Sequence, residues 1–131
     1  MIGLDTNVLV RYLTLDDPRQ AKIATEVIEG ATTAGEPLFV STVVMCEVVW
    51  VLERGYRFDR AHVEHAIDAL LRTAQLHFRE KDLLLAALAD YRGGSGDFAD
   101  YVIGRDAAAE GCSRTVTFDR ALAPSPLFEV V

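Results

Sequence analysis

Short apolar runs alternate with helix-length amphipathic segments along the whole chain, and that alternation restricts the fold more than any single motif. Ile2 to Leu4 reads as a short buried strand that breaks at Asp5 into a helix opening near Thr6 and carrying Val8, Leu9, Val10 and Leu13. Asp17 and Pro18 open a second helix, which the GATTAGEP stretch closes. LFVS at 38–41 reads as a second strand, followed by a helix over 42–56 that ends at Gly55 and another over 59–73 opened by Asp59. QLHF at 75–78 is a third strand, 80–92 a helix, GGSG at 93–96 a break, and 97–111 a helix closed by Gly111. Residues 114–118 and 126–131 supply a fourth and a fifth strand. This order specifies an α/β fold in three layers, an α/β/α sandwich around a central parallel sheet of about 4–5 strands. No internal repeat or long linker divides the chain, so residues 1–131 are expected to form a single domain.

The acids fall at particular places in that pattern. Asp5 follows the first strand and Asp119 the fourth, and the carboxyl edge of a parallel sheet is where ligands bind. Glu47 stands inside VVMCEVVWVL, where burying an ionised carboxylate is costly without a partner charge or a metal. Asp97 and Asp100 lie one turn apart at the start of a helix and can face one crevice. Each acid also has a plain structural role open to it. Asp5, Asp97 and Asp119 can cap helices, D-x-x-D resembles a capping box, and Glu47 can turn to solvent. Those separate roles imply no common location, whereas the alternating topology can bring carboxylates from four segments to one sheet edge. Carboxylates gathered there repel, and protonation or a bound cation relieves the repulsion. An all-oxygen set without His or Cys suits Mg²⁺ or Mn²⁺ rather than zinc.

Composition narrows the partners. A formal net charge of −7, from 13 basic and 20 acidic residues, argues against holding nucleic acid on a broad basic surface. A metal-loaded acidic site carries its own positive charge, which leaves a nuclease open. Cys46 and Cys112 lack C-x-x-C spacing and read as small buried residues in a reducing compartment. No apolar stretch reaches the roughly 20 residues that cross a bilayer, and no basic, apolar leader opens the chain, so a cytoplasmic protein without a membrane partner is expected. His62 and His65 lack a third ligand and read as surface residues. Trp50, Tyr56 and Phe58 read as packing into the core or a partner rather than as base-stacking platforms. Arg11, Arg54, Arg57 and Arg60 either track phosphates or form a solvated face.

LDTNVLV at the start, Glu47 in STVVMCEVVWVL, DFADYVIGRDAAAEGC and the closing TVTFD together resemble the PIN-domain family, and within it the VapC-type toxin ribonucleases of type II toxin–antitoxin pairs. The likeness covers nearly the whole chain, including the order and spacing of the acids. It implies a PIN fold and a Mg²⁺- or Mn²⁺-dependent endoribonuclease that hydrolyses phosphodiester bonds in RNA. It assigns Asp5, Glu47, Asp100 and Asp119 to the catalytic metal site, with Asp97 as an auxiliary metal-site acid and Thr6, Asn7 and Thr117 as supporting polar residues. It further implies a homodimer held inactive by a small VapB-type antitoxin whose extended tail offers an Arg to the carboxylates. The apolar runs VVWVL and LLLAALA can then supply groove walls or core. Competing readings are a non-toxin PIN-like RNA-processing nuclease and a non-catalytic α/β binding module. A phosphotransferase using an aspartyl nucleophile is a further rival, but it usually needs a second acid where Asn7 stands.

Overall fold

The alternation is realised as parallel strand pairing in the computed structural model, which describes residues 1–131. Two compact units form, Met1–Arg79 and Glu80–Val131.

The first unit contains β1 (Ile2–Gly3), α1 (Thr6–Thr14), α2 (Pro18–Ala34), β2 (Leu38–Phe39), α3 (Thr42–Arg54), α4 (Arg60–Leu71) and β3 (Leu76–His77). Its strands lie in the order β1-β2-β3, with Ile2, Leu38 and Leu76 in one register row and Gly3, Phe39 and His77 in the next. Leu38 and Leu76 are buried, so one face of the ladder feeds the core. α1 packs on α2 and on α3, and α3 packs on α4. Met45, Val48, Val49 and Leu52 are buried at three- and four-residue spacing, which is why α3 forms and which face it turns inward. Capping fixes where the helices start. Asp17 accepts from the Gln20 N–H at 3.0 Å, Ser41 Oγ from the Val44 N–H at 3.1 Å, and Asp59 from the His62 N–H at 2.8 Å.

A polar network then ties the end of α1 to the α3–α4 loop. Arg11 Nη1 donates to Asp16 at 3.0 Å and to Tyr56 Oη at 2.8 Å, while the Tyr56 hydroxyl donates to Asp16 at 2.6 Å. Arg11 is thereby engaged in the fold rather than held ready for a phosphate.

The second unit contains α5 (Lys81–Gly93), α6 (Phe98–Ala109), β4 (Thr115–Thr117), a single 3₁₀ turn (Arg120–Leu122) and β5 (Phe128–Val130). α5 packs on α6, with Tyr91 and Phe98 edge to face at 6.1 Å. Arg105 of α6 makes two 2.7 Å bonds to the Asp90 carboxylate of α5, a bidentate clamp between the helices. β4 pairs with β5 in parallel, Thr115 opposite Phe128. α6 approaches β5 so closely that a Cβ at Gly104 would stand 2.8 Å from the Phe128 ring. In the GGSG break, the Gly96 N–H donates to Tyr101 Oη at 2.9 Å, and a side chain at Gly96 would run into Leu122.

Five parallel strands form, as the sequence implies, but they are shorter than their apolar runs and are hydrogen-bonded as sets of three and two. The chain turns into the next helix almost at once, so Asp5 and Ser41 already stand at cap positions. Ile2 is 47% exposed rather than buried, since β1 is an edge of its ladder and only Leu4 beyond it reaches the core. The cysteines are not the buried pair that composition suggested. Cys112 is exposed beyond α6 and Cys46 is half-buried, where burial pushes its thiol pKa up. Val48, Val49 and Leu52, like Leu84, Ala87 and Leu88, belong to the core. No helix is long and apolar enough to cross a membrane.

Phe98 anchors the turn that begins α6 and is fully buried. Phe98→Ala should cost about 3–5 kcal/mol, the range for removing a buried aromatic, read as a lowered midpoint in urea unfolding followed by circular dichroism.

Candidate metal centre

In the first unit, the ladder brings Asp5 and the start of α3 to one carboxyl edge. The Leu4 N–H donates to Phe39 O at 2.9 Å, so Asp5 leaves β1 just as Ser41 leaves β2. Asp5 occupies the N-cap position of α1 with an extended backbone, yet its carboxylate accepts no cap bond, unlike those of Asp17 and Asp59. The cap reading therefore does not account for Asp5. Beside it, the Thr6 hydroxyl oxygen is buried with no hydrogen-bond partner, a rare condition that a bound oxygen or water relieves. Asn7 is exposed. Glu47 is exposed too, on the outer side of α3, because its apolar neighbours in sequence occupy the opposite side of the helix. Desolvation thus exerts no pressure on Glu47, and its suitability as a ligand rests on accessibility instead.

The second unit brings Asp97, Asp100 and Asp119 into one electrostatic field. Asp97 and Asp100 form a capping box at the head of α6, in which the Asp97 N–H donates to Asp100 Oδ2 at 3.1 Å. Asp119 follows β4, and its Oδ1 accepts from the Ala121 N–H at 2.9 Å. Thr117 Oγ1 accepts the Asp119 N–H at 3.1 Å. Burial pushes the Asp100 carboxyl pKa above its ordinary value; the bond from Asp97 opposes this, and repulsion from the Asp97 and Asp119 carboxylates adds to it.

Within the second unit the donor chemistry suits a hard divalent cation. Every donor is oxygen, the half-buried Asp100 carboxylate lacks a compensating positive charge among its perturbers, and the Asp97 and Asp119 carboxylates are exposed. No three or more His, Cys, Asp or Glu side chains are grouped so as to hold a metal ion. His62 and His65 are both exposed, and the His62 ring stacks on Phe58 at 4.2 Å. A cleft of about 550 Å³ in the second unit is lined by Asp90, Ser95, Tyr101, Ala121 and Pro124 among others, but none of the five acids lines it.

Tyr101 was not legible as a site residue. Its hydroxyl holds the Gly96 N–H, which fixes the loop leading directly into Asp97, and only the fold brings these groups together. A tyrosine one position after an acid carries no signal of that contact in the sequence.

Residues 2–123 match the PIN domain family, and the chain belongs to it. Among characterised proteins, it is similar to a VapC ribonuclease of Aquifex aeolicus (strain VF5), with 28% identity over 117 residues, covering 89% of this chain and 86% of that protein.

The Asp100 field has a consequence for stability. With the folded carboxyl pKa raised, ionised Asp100 opposes folding above that pKa, and the penalty disappears as pH falls below the ordinary carboxylate value. Asp100→Asn should therefore raise Tm at neutral pH, with the gain shrinking to nothing in acid. Thermal unfolding of both proteins across pH 3–8, a range set by about the usual carboxylate pKa and neutrality, measures it.

Proposed function

We propose that this PIN-domain protein is a metal-dependent endoribonuclease, hydrolysing phosphodiester bonds in RNA, and the toxin component of a type II toxin–antitoxin pair. The observation that carries the reading is the crowding of Asp97 and Asp119 around a half-buried Asp100 whose carboxyl pKa is raised. An arrangement that repels itself is costly to keep in a fold unless a cation uses it. The relative named as a VapC ribonuclease supports the choice of RNA, and the family match over residues 2–123 supports treating the chain as one PIN domain.

In this reading Asp5, Glu47, Asp97, Asp100 and Asp119 are the ligand set for Mg²⁺ or Mn²⁺. Such a cation, when bound, neutralises phosphate charge and lowers the pKa of a coordinated water. The chain's own groups do the positioning. The Asp97 N–H fixes one oxygen of Asp100, and the Thr117 hydroxyl fixes the backbone of Asp119. The unpartnered Thr6 hydroxyl is available to a water or phosphate oxygen next to Asp5. Without a cation these acids repel a polyanion, so RNA engagement and metal binding are coupled.

The same chemistry suggests how the activity is restrained. A VapB-type antitoxin presenting a guanidinium replaces the cation's charge and makes bidentate bonds to the carboxylates. We further propose that the protein acts as a homodimer in the cytoplasm, where RNA and a small antitoxin are both at hand.

Antitoxin-free protein incubated with structured RNA should give discrete cuts in Mg²⁺ or Mn²⁺ and none in EDTA. Asp100→Asn and Asp5→Asn should lower the rate by at least about 100-fold while remaining folded. The cap bond from Ala121 to Asp119 favours one alternative, a binding module whose acids are purely structural. That alternative requires metal-independent behaviour, an active Asp100→Asn variant and no rise in Tm with Mn²⁺.

A further inference from the structure

We infer that the outer face of α3 carries single-stranded RNA away from the metal centre, with Trp50 stacking on one base and Arg54 and Arg57 meeting its phosphates. The inference rests on the nuclease reading and names the path of its substrate.

Val43, Glu47, Trp50 and Arg54 recur at helical spacing and fall within an arc of about 60° on α3. All four are exposed, Trp50 by 62% and Val43 by 68%, while the opposite face of the helix is core. Of the expectation that Trp50 packs into the core or a partner, the core half is overturned: the indole lies on the helix surface. It lies about 4.5 Å along the axis from Glu47, and Arg54 lies about 10.5 Å along. A strand whose phosphate meets the Glu47 carboxylate through a cation reaches both within a nucleotide or two.

Charge selects the occupant. In a chain of net charge −7, four arginines form ion pairs, Arg11 with Asp16, Arg72 with Asp68, Arg105 with Asp90 and Arg114 with Glu129. Arg54 and Arg57 are exposed and have neither an ion pair nor a hydrogen bond. Arg57 is also held at φ 54°, a left-handed conformation uncommon for a side-chain-bearing residue. Arg54 in the last turn favours the helix dipole, but that role requires no exposed indole one turn before it. An aromatic platform one turn from the unpaired Arg54 guanidinium, with Arg57 in the loop that follows, is the kind of surface that unstructured nucleic acid uses, because every base has a π-face and every linkage a charge. An acidic or neutral peptide would account for the cations or the indole, but not for their continuity with a candidate phosphate-activating acid.

Trp50 is the chain's single tryptophan, so its emission reports the surface directly. The full chain carrying Asp100→Asn should be titrated with a dye-labelled, unstructured RNA oligonucleotide in Mg²⁺, following both anisotropy and tryptophan emission. Quenching that tracks binding is expected. Adding Trp50→Ala should weaken binding about 5- to 150-fold, the span for one base–aromatic stack, with Trp50→Phe retaining most of it. Arg54→Ala and Arg57→Ala should each lower the salt dependence, by about 0.7 in log–log slope.

Unchanged emission together with unchanged RNA affinity in Trp50→Ala overturns the proposal. So does an RNA-free blue shift that grows with protein concentration, if sedimentation shows a dimer that Trp50→Ala dissociates and RNA binding is unaffected; the face is then a contact between copies. The nuclease reading is separable. If the unmodified chain cuts RNA with metal and Trp50→Ala binds and cuts equally well, only the path is wrong. If RNA quenches Trp50 but no metal supports cutting, the path stands and the catalytic reading fails.

Discussion

Parallel strands cannot be joined by a tight hairpin, so β1, β2 and β3 each pass into a helix at their carboxyl end and β4 into a 3₁₀ turn. That constraint puts strand ends, helix starts and their polar residues at the carboxyl edge of each ladder. Asp5 and Ser41 leave neighbouring strands together in the first unit, and Asp119 follows β4 in the second. Each ladder can thereby expose oxygen atoms without interrupting its pairing or its core.

Capping and metal binding draw on the same residue types, and the hydrogen bonds separate the two. Asp17, Ser41 and Asp59 are caps in fact, each accepting from a backbone N–H in the first turn. Asp5 holds the same position without making the bond. Asp100 and Asp119 do both, each giving an oxygen to a backbone N–H and still sharing a repulsive field. A carboxylate has lone pairs enough for one bond that sets its orientation and another that serves a ligand. The capping bonds in the second unit are thus compatible with the proposed ligand role of these acids.

In the proposed reading, the acidity of the chain sets how RNA is engaged. A protein of net charge −7 gains little from diffuse attraction to a polyanion, so affinity must be local. The proposed cation at the carboxylates and the proposed path along Trp50 and Arg54 are local devices of that kind.

By itself the sequence determined the α/β class, the order of the elements and the identity of the acids, because hydrophobic period, cap residues and glycine breaks are local properties. It read six helices and five strands in order, and the PIN family from the acids' spacing. The tertiary structure decided what those local signals cannot encode. Glu47 and Trp50 stand in one apolar run, yet helical rotation places both outside while Met45, Val48 and Leu52 go in. Whether Arg11 is free depended on Tyr56, 45 residues away, while whether Asp5 caps α1 and which tyrosine holds the loop before Asp97 depended on side-chain orientations that residue types do not fix. Strand extent followed the same rule, since a ladder stops where pairing stops, whatever apolar residues remain. Periodicity states which residues prefer burial; only packing states which face is covered and which polar atom finds a partner.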